Sequence, residues 1–326
     1  MTLASQTSAL LGRQLHFVTG KGGVGKSVIA CALGTHFAAT GLRTLLVQVN
    51  ANDSHGRLLE TPPIDGEIRR LGAHLSVVNI RPDAALHEYA RIVLRFETVV
   101  KALLENRVAR AFLRFVPSLA ELTMLGKIWY HATEMRDGVL AYDRIVIDAP
   151  STGHGLGFLR VARVVHDATG DIGPMAEKTR EMQATLTDPT RAALHVVTLP
   201  EEMPVNETLE LIAAARGDAI PPLGMCIVNA VTPVVFDDET RASAEPLLRE
   251  SPAKLHHVLL ALREVAARRL AREAIEQREI ARLDEKITQI PRVSVTLIDE
   301  TRTQPELLRL LRDDLVAAMS GEGASR

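Results

Sequence analysis

A doubly wound, mostly parallel α/β sheet with helical insertions is the fold class that the sequence predicts, on three observations. Short apolar runs bounded by turn residues recur along the chain, as strands buried on both faces do. Stretches with apolar residues at helical spacing separate most of those runs, which is the alternation of βαβ units. One run leads directly into a glycine-rich loop and then a helical pattern, the local order in which such sheets bind phosphate. The 326 residues, about twice a typical domain, are ample for a core without disulfides or metals.

Taken in order, the predicted strands are Leu15–Thr19, Thr44–Val49, Arg144–Asp148, Ala193–Thr198 and Met225–Asn229, with a sixth at Val293–Ile298. Between the second and third lie about ninety residues, too many for an ordinary crossover. Within them Leu86, Ala90, Val93, Leu94, Val100, Leu104 and Phe112 follow helical spacing. A second helical stretch, Pro252–Lys286, carries Leu255, Leu259, Leu262, Ala266 and Leu270 against a face dense in Arg and Glu. Such helices either pack on the sheet with solvated outer faces or form a subdomain that meets a partner. No linker-like composition interrupts the chain. The expectation is one domain over 1–326, with a helical subdomain from about 83–140 and 165–190 and a charged helix at about 252–287.

Composition narrows the function classes. Lys+Arg 38 against Asp+Glu 40 gives a net charge of −2, which supplies no global field for nucleic acid or acidic membrane. Aromatic residues are 3%, too few for stacking platforms that bind single strands. Cys31 and Cys226 are the two cysteines and make neither a disulfide framework nor a four-thiolate metal site within one chain. No signal-peptide pattern or 18-residue apolar run is present. A soluble, cytoplasmic protein with no nucleic acid partner and no stable membrane insertion is expected.

The strongest motif is Gly20-Lys21-Gly22-Gly23-Val24-Gly25-Lys26-Ser27, which fits G-x-x-x-x-G-K-[ST]. Its glycines let successive N–H groups face phosphate oxygens, and the following helix adds its positive N-terminus. Lys26 would reach the β- and γ-phosphates of ATP, and Ser27 would ligand Mg²⁺. The strand Arg144-Ile145-Val146-Ile147-Asp148 ends in a carboxylate that can hold the same metal. A helix-capping aspartate is the plainer reading of Asp148. Asn229, closing Met225–Asn229, offers donor and acceptor to adenine.

The string KGGVGKS resembles the deviant phosphate loop of the MinD/ArsA group of ATPases. That resemblance implies a face-to-face dimer with ATP between its halves, where Lys21 touches the partner's nucleotide. Asp148-Ala149-Pro150-Ser151-Thr152-Gly153-His154 resembles the switch II segment of the ArsA/Get-type branch, which implies that the Gly153 N–H senses the γ-phosphate. His154 is then either a mechanical link or a hydrogen-bonded loop residue. Thr198–Thr208 resembles the loop covering the nucleotide, implying that Glu201 and Glu207 approach ribose across the dimer; Glu207 is equally a helix acid. Asp299–Arg302 is similar to an adenine-side loop. These likenesses cover roughly 14–60, 142–165, 193–232 and 290–315.

Two departures matter. Arsenite-handling and zinc-bridged members gather thiolates, whereas Cys31 and Cys226 read as core residues. The family's switch I aspartate, which orients the attacking water, is replaced by Asn50, an amide that aligns water but accepts no proton. Slow hydrolysis, substitution by Asp53, or chemistry by a partner subunit follow as alternatives. The implied function is a dimeric ATP switch, homodimeric or paired with a paralogous ATPase, that binds a protein or membrane-protein client. Met124, Met135, Met175 and Met182 suit such a client, although core filling is their ordinary use. A catalytically weak regulatory subunit and a MinD/ParA-like spatial organiser are the alternatives.

Overall fold

The computed structural model describes residues 2–82, 117–169, 174–216, 220–234, 257–298 and 301–321, with positions 239, 242–243 and 246. The helical pattern predicted over Asp83–Phe115 lies outside the described residues. So do Asp299 and Glu300 and the first five residues of the predicted Pro252–Lys286 helix.

An eight-stranded sheet is centred on β1 (Leu15–Gly20). On one side follow β7 (Arg144–Asp148), β2 (Thr44–Val49), β4 (Leu75–Ile80) and β3 (Arg69–Arg70). On the other lie β8 (Ala192–Thr198), β9 (Leu223–Val231) and β10 (Arg292–Thr296). All neighbours are parallel except β3 and β4. A separate hairpin joins β5 (Met135–Arg136) to β6 (Val139–Leu140). The doubly wound prediction therefore holds. The six predicted strands are present, but the last ends at Thr296 rather than Ile298, after an irregular register against β9. β4 and β3 are additions, and they occupy the start of the long stretch between the second and third predicted strands.

The two faces have different cores. On one, α2 (Lys26–Ala39), α9 (Gln304–Ser320) and α1 (Leu3–Leu11) pack through Ile29, Leu33, Phe37, Leu308, Leu311, Leu315 and Leu10 onto Val18, Leu46 and Val146. On the other, α4 (Pro117–Thr133), α5 (Thr152–Thr169) and α6 (Pro174–Thr187) cover Phe17, Leu45, Val47, Ile145 and Ile147. Met124 and Met182 are buried in that second core, so their use is filling; Met135 is exposed. A short α3 (His55–Leu58) follows β2.

The remaining helices flank β8 and β9. α7 (Glu202–Ala215) and α8 (His257–Lys286) share a smaller core of Val205, Leu211, Ile212, Leu283 and Ile287. α8 buries three acids one turn apart, Glu273, Glu276 and Glu279, each paired with arginine of the same helix. The Glu276 carboxylate accepts from the Thr232 N–H and hydroxyl at 2.8 and 2.6 Å. Arg269 donates to the Pro233 carbonyl. These polar bonds fasten α8 to the end of β9.

Two histidines lie side by side inside the sheet's α2 face. Met225 N–H donates to His195 Nδ1 at 3.2 Å, so the His195 proton sits on Nε2 and points at His16 Nδ1, 3.0 Å away. His16 Nε2 then carries its own proton to the Arg13 carbonyl at 2.9 Å. Every ring nitrogen has a partner while both rings are neutral. Burial holds His16 well below the ordinary histidine range and His195 at about 3.

Candidate nucleotide site

The glycine-rich loop leaves the C-terminal end of β1, at the point where β8, β9 and β10 go to one side and β7, β2 and β4 to the other. Ligands of open α/β sheets bind at such a switch point. Gly23 and Gly25 have φ of 87° and 91°. At Gly25 a side chain is excluded twice, because a Cβ would also sit 2.2 Å from Asn229 Nδ2. The loop delivers Lys26 and Ser27 as the first two residues of α2, at the end of the helix whose first N–H groups have no intrahelical partner.

Lys26 Nζ donates to the Lys21 carbonyl at 2.7 Å, folding back over its own loop. Burial lowers its pKa, and the Asp148 charge partly opposes that shift. Ser27 Oγ donates to Asp148 Oδ2 at 2.6 Å. β7 lies beside β1 with Asp148 in register with Val18, so the carboxylate stands under the start of α2. Asp148 is thus engaged with Ser27. A hydroxyl and a carboxylate in contact form a hard oxygen donor set, which fits Mg²⁺.

No motif in the sequence marks His55. From α3 it brings Nε2 to 3.1 Å from the same Asp148 oxygen, and it is fully buried. Asn50, exposed at the end of β2, has φ of 44° and donates its N–H to the Ile80 carbonyl at 2.9 Å. Asp53 is occupied locally, its Oδ1 accepting the Gly56 N–H at 2.8 Å.

The remaining predicted residues fall around this centre. Lys21 Nζ pairs with Glu207 Oε1 at 2.5 Å within the same chain, both about one-third exposed. Glu201 is exposed at the N-cap of α7 and makes no side-chain cap. Asn229 donates Nδ2 to the Val24 carbonyl at 2.9 Å, bracing the loop from below. Gly22 and Val24 belong to the loop, with Val24 buried against β1. Gly153 lies in the first turn of α5. Gly155 is the tighter glycine there, since a Cβ would meet the Pro150 carbonyl at 2.7 Å; two glycines in T-G-H-G were the only sequence signal of it.

A parallel sheet with a phosphate loop at its switch point, backed by a strand-ending aspartate, defines the P-loop nucleotide-hydrolase fold. Residues 13–176 match the family model of the ArsA anion-transporting ATPases. The ATPase BagA of Mycobacterium tuberculosis is 33% identical over 243 residues, covering 73% of this chain and 71% of that protein. Arsenical pump-driving ATPases of Acidiphilium multivorum and Escherichia coli are 30% and 28% identical over 259 and 268 residues. Each of those two alignments covers 73% of this chain and 42% of the relative. The chain belongs to the ArsA ATPase family. Among the described residues no helix is long and apolar enough to cross a membrane.

Proposed function

We propose that this protein is a cytoplasmic, dimeric, ATP-dependent switch that hydrolyses ATP slowly and couples nucleotide state to the binding of a protein client or partner subunit. The observation that carries the reading is the placement of Lys26 on the glycine loop next to the Ser27–Asp148 contact. On binding Mg·ATP, loop N–H groups from Gly20 to Ser27 cradle the phosphates, and Lys26 leaves the Lys21 carbonyl for the β- and γ-oxygens. Ser27 and Asp148 would hold Mg²⁺, which would supply charge neutralisation at the phosphates. Gly153, on the segment after Asp148, responds to the γ-phosphate. Lys21 exchanges its pairing with Glu207 for the partner's nucleotide, and Glu201, Glu207 and Asn229 border the nucleoside. The chain acts as a single ATPase domain, 1–326, whose helical insertions around 83–140 and 165–190 meet the client and whose charged helix spans about 252–287.

Asn50 makes turnover slow, because its amide orients water without taking its proton. That residue also favours a second reading, in which the chain is a regulatory subunit paired with a paralogous ATPase and nucleotide serves to hold the pair together. Arsenic handling is not proposed. Cys31 and Cys226 are buried, and burial pushes the first thiol well above its usual range and the second to about 12, whereas thiolates are the metalloid- and metal-binding form. A spatial organiser on DNA or lipid has no support from the balanced charge.

Sedimentation with Mg·ATP and Mg·ADP, followed by single-turnover phosphate release, tests the reading. An ATP-dependent dimer with slow release is expected. Failure to bind ATP overturns it, and a stable ATP dimer with no release establishes the regulatory alternative.

A further inference from the structure

The segment that carries Asn50 is held to the sheet by buried side chains from three adjacent strands. Asn79 of β4 donates Nδ2 to the Ala51 carbonyl at 3.0 Å. Gln48 of β2 donates Nε2 to the Asn52 carbonyl at 3.1 Å and to Ser54 Oγ at 2.6 Å. At β7, Asp148 takes His55 Nε2. The register sets Gln48 beside both Asn79 and Asp148, so the three polar side chains form a row under residues 50–55. His55 and Asn79 are 0% exposed and Gln48 1%. Each nevertheless keeps one buried atom without a partner: His55 Nδ1, Asn79 Oδ1 and Gln48 Oε1.

We infer that His55 is a positioning residue that couples Mg²⁺ capture at Asp148 to the segment bearing Asn50. One oxygen, Asp148 Oδ2, accepts both Ser27 Oγ and His55 Nε2. The carboxylate is therefore oriented by the phosphate loop from one side and by α3 from the other. The imidazole has a directional bond on its Asp148 side and an unpartnered nitrogen on the other, so the ring follows the carboxylate. Gln48 and Asn79 fix the Ala51 and Asn52 carbonyls, so the path of the turn from Asn50 to His55 is set at one end by those bonds and at the other by the bond to Asp148. A partner that orients a metal's carboxylate is worth typically 10–100-fold in metal affinity, and the coupling acts in both directions. The inference rests on the proposed Mg·ATP site.

The test is ATP affinity with and without Mg²⁺, by titration of the full chain, for wild type, His55→Asn, His55→Ala and His55→Gln, with thermal melts alongside. Asparagine keeps a polar group near Nδ1 but cannot reach Asp148; glutamine places an N–H where Nε2 stands. Mg²⁺ should strengthen wild-type binding. In the Asn and Ala variants that gain should shrink by about tenfold with metal-free affinity within about twofold, and Gln should restore it. An undiminished Mg²⁺ gain in His55→Asn, or equal losses with and without metal, overturns the inference. Wild type that binds no ATP overturns the site itself, a separate and earlier failure.

Discussion

The His16–His195 pair and the Asp148 patch are buried polar clusters on the same face of one sheet, and they are built on opposite terms. In the pair every ring nitrogen is used, from Met225 N–H through both imidazoles to the Arg13 carbonyl. In the patch Lys26 bonds its own loop, and Gln48, Asn79 and His55 each retain an unpartnered atom. Buried polar groups are ordinarily satisfied, and an exception calls for a reason. The closed cluster serves the fold. The open one surrounds Asp148 and the phosphate loop.

That contrast predicts which substitutions alter chemistry and which alter stability. The largest effect belongs at the open edge: Asn50→Asp should speed single-turnover hydrolysis by up to ~10²–10⁴-fold, the range of a positioned proton acceptor. Unchanged rates would place the deficit elsewhere. Asp53→Ala should leave the slow rate alone, because that carboxylate caps Gly56. Next, His195→Ala should cost roughly 3 kcal/mol in denaturant titrations, leaving a cavity and two orphaned polar partners, while ATP affinity in the folded protein is unchanged. Lys26→Ala should do the reverse, weakening ATP binding by about 10–100-fold, as for a charge-assisted hydrogen bond, with a melting temperature near wild type.

The histidine pair also gives a pH signature. Both rings have folded pKa values depressed below the unfolded value of about 6.5. Their contribution is therefore complete above that value and declines as pH falls toward 3, where the folded His195 finally protonates. Stability should fall with a slope that builds below about pH 6.5 toward a limit of about 1.4 kcal/mol per pH unit for each ring, and urea titrations at pH 7, 6 and 5 measure it. A variant lacking both rings should show a flatter profile. The smallest effect is at Lys21 and Glu207: as a partly exposed pair it is worth under about 1 kcal/mol to the fold. Lys21→Ala should nonetheless abolish the ATP-dependent dimer in sedimentation, while Glu207→Gln retains it.

Much of the closed interior could be read in advance, because parallel central strands are continuous apolar runs. β1, β2, β7, β8 and β9 were located to within two residues on that basis. β4 (Leu75–Ile80) was missed because its first two residues are only half-buried and it ends Val-Asn-Ile, so its polar Asn79 interrupts the run. The phosphate loop and Asp148 were legible as spaced motifs. His55 was not, since its role depends on a turn after β2 that returns the chain over β7, and no local spacing encodes that return. The same holds for Lys21 and Glu207, which are 186 positions apart and meet only once α7 packs beside the loop.

The bracing of Val24 by Asn229 has a mechanical consequence. Three residues beyond Asn229, Thr232 grips Glu276, so the underside of the phosphate loop is joined through the end of β9 to the buried foot of α8. The helix is about 45 Å long, and its first sixteen residues, about 24 Å, precede that buried foot. A tilt of about 5° at the foot would carry the far end of the rod about 2 Å. Movements at the loop too small to repack the sheet would thus be magnified along α8, with the Thr232–Glu276 bonds as the fulcrum.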